Sequence, residues 1–111
     1  MHEYSIIQSL VDSVEQAVGT RGKPHRIEVR IGDLSGVDCV LLTTAFEVFR
    51  AGTICEDATM TIERVAAQWA CPKCQSLIPA GQALRCKPCN APAQLRSGDE
   101  IILQRIELEV S

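Results

Sequence analysis

Aromatic side chains are scarce in this chain, only 4% of its 111 residues: Tyr4, Phe46, Phe49 and Trp69. The interior must therefore rest on Ile, Val and Leu. A reader of single-stranded nucleic acid usually offers several stacking platforms, and here they are missing. No stretch approaches the roughly 18 consecutive apolar residues of a membrane span, so no membrane partner is expected. The start, Met1-His2-Glu3-Tyr4, lacks the basic and apolar regions of a secretory signal, and the expected location is the cytoplasm. Acidic residues are absent from 66 to 98, where four basic ones stand (Lys73, Arg85, Lys87, Arg96). The net charge of -3 gives no general reason to expect a nucleic-acid partner.

What is present reads as a folded chain. A hydrophobic share of 46% excludes intrinsic disorder, and 111 residues suffice for one small domain plus a metal-held module. Residues 4–18 place Ile6, Ile7, Leu10, Val11, Val14, Ala17 and Val18 along one face of a helix. From His25 to Gly32 the pattern alternates as in a strand, with Ile27, Val29 and Ile31 on one side. Asp38 is the expected N-cap of a second helix over 38–50, carrying Leu41, Leu42, Ala45, Phe46 and Phe49. Residues 58–65 alternate again (Ala58, Met60, Ile62), as do 101–110, where Ile106, Leu108 and Val110 share a face.

The expected fold is α+β: two helices covering a small three-stranded sheet, with an inserted four-cysteine zinc-ribbon-like module. Residues 1–65 and 99–111 form the α/β domain, and 66–98 form the insert. The insert carries +4, while the remainder has seven basic and fourteen acidic residues, a balance of -7.

Within the insert, Cys71-Pro72-Lys73-Cys74 is followed after eleven residues by Cys86-Lys87-Pro88-Cys89. Each C-x-x-C sets two sulfurs on one tight turn, and two facing turns make a tetrahedral four-sulfur site. Soft thiolates in that geometry suit zinc or a single iron, and in a reducing cytoplasm they are metal ligands rather than a disulfide framework. The closed shell makes the zinc structural, leaving no open position for catalysis. Cys39 and Cys55 lie outside the pattern and read as buried structural thiols.

Met1-His2-Glu3 carries a second metal-binding pattern. A histidine in position two can chelate through its imidazole, its amide nitrogen and the amine of Met1, and Glu3 supplies a fourth ligand. Such nitrogen-rich tetragonal sets suit Ni(II) or Cu(II).

Taken together, MHEYSIIQSL, IGDLSGVDCVLLTTAFEVFR and the paired knuckles resemble the HypA/HybF family, nickel-delivery accessory proteins of hydrogenase maturation. The likeness runs over essentially the whole chain. It implies nickel at His2, with Met1 and Glu3 as neighbours, and zinc at Cys71, Cys74, Cys86 and Cys89. Asp38 matches an acidic position near the family's nickel site. It also implies a metallochaperone rather than an enzyme, partnered by a nickel-handling accessory GTPase and a hydrogenase large-subunit precursor. Some members serve urease, and a homodimer is compatible with the pattern. The only other histidine, His25, reads as a turn residue at the start of the first strand. The competing readings are a zinc-ribbon module that binds nucleic acid or protein, and a rubredoxin-like electron carrier.

Overall fold

A helical stripe and several alternating segments must share one interior, and the computed structural model shows how. It describes residues 2–79 and 83–109. Helix α1 (His2–Val18) buries Ile7, Leu10, Val11, Val14 and Val18. Ala17, expected on that face, lies at its rim in the last turn and is exposed. Gly19, with a positive φ of 57°, lets the chain leave the helix. Strand β1 (Lys23–Gly32) then runs back and buries Ile27, Val29 and Ile31.

Helix α2 (Cys39–Phe49) starts where Asp38 leaves helical geometry, at φ -85° and ψ 108°. The Asp38 carboxylate accepts from the N–H groups of Val40 (3.0 Å) and Leu41 (3.1 Å), which are otherwise unsatisfied in a first turn. Leu42, Ala45 and Phe46 are buried and Phe49 is partly so. Leu41 departs from the expected face. It stands about 100° round the axis from Leu42 and is 54% exposed.

Strand β2 (Thr59–Val65) pairs parallel with β1, the connection that α2 makes possible as a crossover. Strand β6 (Ile101–Glu109) pairs antiparallel on the other side, giving the order β2-β1-β6. Its register jumps from Glu28–Arg105 to Val29–Leu103, so Gln104 is an extra residue. This bulge lets Leu103 join Ile106 and Leu108 against the core despite their opposite parity. Val110, expected on the same face, lies outside the described residues.

A second sheet of three very short strands follows: β3 (Gln68–Ala70), β4 (Leu77–Ile78) and β5 (Gln94–Ser97), in the order β4-β3-β5. It shelters a separate small cluster, Cys71, Ile78, Cys86 and Ala91, with Trp69, Cys89 and Ala93 packed against it. The molecule is long, 57 × 27 × 17 Å, with a radius of gyration of 17.8 Å. A compact chain of this size would have about 13 Å.

Two linkers join the sheets, residues 66–67 going out and 98–100 coming back. The returning linker and the end of β2 are hydrogen-bonded to the end of β1 and the turn after it: Gly32 N–H donates to Glu100 O, Asp33 N–H to Val65 O and Leu34 N–H to Gly98 O, each at 2.8 Å. The crossing is too close for side chains. A Cβ on Gly32 would stand 2.1 Å from the carbonyl carbon and oxygen of Gly98.

Candidate functional site

The two C-x-x-C segments are built alike. In the first, Gln75 N–H donates to Cys71 O (2.9 Å) and Cys71 N–H to Ser76 O (2.9 Å). In the second, Asn90 N–H donates to Cys86 O (2.7 Å) and Cys86 N–H to Ala91 O (2.9 Å). Gln75 and Asn90 both have positive φ, 66° and 53°, which turns the chain sharply after each second cysteine. Lys73 and Cys74 N–H groups point at Cys71 Sγ, at 3.3 and 3.4 Å.

Each turn thus presents two sulfurs, and all four, from Cys71, Cys74, Cys86 and Cys89, lie within 4.8 Å of one another. The Sγ atoms of Cys74 and Cys86 are 3.7 Å apart. Sulfurs about 2.3 Å from one tetrahedral ion are separated by much the same distance as that pair, so the donor set suits a metal with only a small contraction. It is the one group of three or more metal-ligating side chains that comes together among the described residues.

The proton chemistry points the same way. The Ser76 hydroxyl, 3.2 Å from Cys74 Sγ, and the Ser76 backbone bring the Cys74 thiol down to about 6. Cys89 is pushed up to about 12, first by the Cys74 sulfur beside it, then by desolvation and by Cys71 and Cys86. One thiolate forms readily and makes the next costly, so four together require a cation. Ser76 escaped the sequence reading. A hydroxyl two residues past a C-x-x-C is its only trace there.

The two cysteines outside the pattern are free thiols. Cys55 is fully buried in the main core, where desolvation, with the Glu15 charge adding, pushes its thiol up to about 11. Cys39 is half-buried at the start of α2, packed against the same core.

At the other end, β1 carries the chain back along α1 and brings Asp38 beside the first helical turn. Asp38 N–H donates to Glu3 Oε2 at 3.4 Å across 35 residues of sequence. The Glu3 carboxyl is held below its ordinary value by its own backbone N–H, against partial desolvation and with the Asp38 N–H assisting. Of the remaining expected residues, His2 opens α1 and Met1 lies outside the described residues. His25 does not join them. The strand begins at Lys23, so His25 sits inside β1 at a register shift, with Nε2 3.5 Å from Glu107 Oε1. It stands near the far end of α1, which is about 24 Å long.

Comparison with known proteins bears on the family and the fold. The HypA family, described as hydrogenase/urease nickel incorporation, metallochaperone, matches residues 1–108. The hydrogenase maturation factor HypA of Nitrosospira multiformis is 38% identical over 113 positions, covering 97% of both chains. That of Shewanella oneidensis is 33% identical, over 98% of this chain and 96% of its own. The solution structure of the Ni metallochaperone HypA from Helicobacter pylori matches with a TM-score of 0.77 at 28% identity over 98% of both chains. A further solution structure of a HypA protein reaches 0.83 at 28% identity, over 100% of this chain and 98% of that one.

Proposed function

The chain belongs to the HypA family of nickel metallochaperones in hydrogenase maturation, and from that premise we propose where its two metals sit and how the nickel is handed on. Nickel is the cargo. It is taken up by His2, with the Met1 amine and Glu3 completing the set and Asp38 close by. The observation that supports this is the contact between the Asp38 backbone N–H and the Glu3 carboxylate, which holds that carboxylate in the first turn of α1, beside His2. A delivery site needs few, exchangeable ligands, and the first turn of an edge helix meets that need better than a closed cage.

The four cysteines hold zinc. Bound there, zinc supplies a closed thiolate shell and no chemistry of its own. Residues 66–98 form the zinc module, and 1–65 with 99–111 form the nickel domain. The module's small cluster rests mainly on cysteine and alanine, and it needs a metal to stay folded. Lys73, Arg85 and Lys87 offset the negative charge of the thiolates, and no covalent step is involved. The work takes place in the cytoplasm, the reducing compartment in which C-x-x-C pairs serve as metal ligands rather than disulfides. Its partners are a nickel-handling accessory GTPase and the precursor of a hydrogenase large subunit, with urease as a further client.

Nickel titration with parallel metal analysis tests this reading. His2→Ala should lose stoichiometric nickel while keeping zinc and the fold, and an unchanged nickel affinity would sink the assignment. One residue added before Met1 should weaken binding if the amine is a ligand; equal titration curves would exclude it.

A further inference from the structure

Residues 32–38 serve two places at once. At one end, the N–H groups of Gly32, Asp33 and Leu34 are each bonded at 2.8 Å to a linker or strand end leading to the second sheet: Glu100 O, Val65 O and Gly98 O. At the other end, Asp38 N–H reaches the Glu3 carboxylate. Between these ends the strap has little slack. Ser35 N–H closes a turn onto Gly32 O (3.0 Å), Val37 N–H donates to Ser35 Oγ (3.3 Å), and Val37 packs against the main core. Asp38 is then fixed as the N-cap of α2.

We propose that this strap positions the N-terminal nickel ligands, so that the linker crossing at Gly32 and Gly98 sets where Glu3 stands. The inference rests on the reading that nickel binds at the N-terminus. Every link up to Asp38 is a backbone hydrogen bond, a short turn or core packing, and no long side chain intervenes to absorb a displacement. The two glycines mark how tightly the joint is drawn. Gly98 has a φ of 113°, and a Cβ there would stand 2.5 Å from Ala67 Cα. A Cβ on Gly32 meets the Gly98 backbone in turn. Neither obstacle has a rotamer to swing aside, so an added methyl must move the linkers, and the strap moves with them. Gly32, Gly98 and the Leu34 N–H are positioning groups, because none of them touches the metal.

Linkage makes the coupling reciprocal: if the joint sets nickel affinity, nickel steadies the joint. Amide exchange in the zinc-loaded, full-length chain, with and without nickel, reads this directly. Nickel should slow exchange at Asp33 and Leu34 as well as at Asp38. Protection confined to the first helical turn and Asp38 would overturn the proposal, and this measurement needs no variant to fold.

Affinity gives a second measurement. Gly98→Ala should weaken nickel binding by about tenfold or more, in the range seen when outer-shell supports are removed, while zinc stays bound. Gly19→Ala is the control, since Gly19 also has positive φ, 57°, but nothing lies within 4 Å of its would-be Cβ. It should bind nickel as the wild type does. Wild-type affinity in Gly98→Ala, or equal losses in both variants, counts against the strap. If the wild type and His2→Ala bind nickel alike, the N-terminal reading itself fails and the proposal falls with it, which separates the two failures.

Discussion

Single residues decide the chemistry at both ends of this molecule, and they differ in how far sequence reveals them. The four cysteines are legible because C-x-x-C spacing is itself a geometric statement about one turn. The pairing of Glu3 with Asp38 is not, since it depends on β1 returning along α1 and bringing together groups 35 residues apart. Cys74→Ser removes the sulfur whose thiol is drawn down to about 6 and leaves only three sulfurs, one short of a closed tetrahedral shell. Zinc content should fall well below stoichiometric, measured by metal analysis after gel filtration.

Cys55 offers a pH test. Its buried thiol titrates at about 11 against an ordinary value of 9.0, so the folded chain keeps a proton that the unfolded chain releases. The resulting stability is complete below 9.0 and is lost as pH climbs towards 11. Urea unfolding at pH 8 and pH 10.5 should show a fall larger in the wild type than in Cys55→Ala, by up to about 2 kcal/mol. Equal falls would mean that the thiol does not couple to folding.

At the scale of elements, helices and long strands follow their periodicity, and the departures have local causes. Leu41 is apolar and lies in a helix, yet it faces outward with Val40 and Val48, because Leu42, Ala45 and Phe46 already fill the inner face. A stripe this broad does not show in sequence which edge is buried. In β6 the alternation is broken at Gln104, and no turn residue announces a bulge that only the pairing with β1 reveals. Strands of two to four residues in the second sheet are too short to carry a period. The start of α2, by contrast, is written in Asp38. Asp38→Ala should cost about 1 kcal/mol in thermal or urea unfolding, and Asp38→Asn, which keeps the capping oxygen, should cost much less. If Asn also preserves nickel affinity, the charge of Asp38 is not needed at the metal, and its part there is to place the N–H that Glu3 accepts.

The described residues form two hydrophobic clusters of very different size, and only the larger rests mainly on Ile, Val, Leu and Phe. Chelation should therefore melt them separately. The only tryptophan, Trp69, lies against the smaller cluster, whereas Tyr4 stands on α1. Stripping zinc should red-shift the Trp69 fluorescence while far-UV circular dichroism retains the helical signal; joint loss of both would show a single cooperative unit. The second sheet falls within the stretch marked by missing acids and by prolines, but the manner of its attachment does not show in the sequence. Ala66, Ala67 and Gly98 look like slack in sequence, and in the structure they are threaded through one crossing against Gly32. That crossing is where the second sheet leaves the first, in a body 57 Å long and 17 Å thick, so it would serve as a fulcrum. An angular slip too small to break any one hydrogen bond there is multiplied by the length of the arm, and the cysteine tip sweeps an arc. Two glycines thereby set the aim of the chaperone as well as its shape.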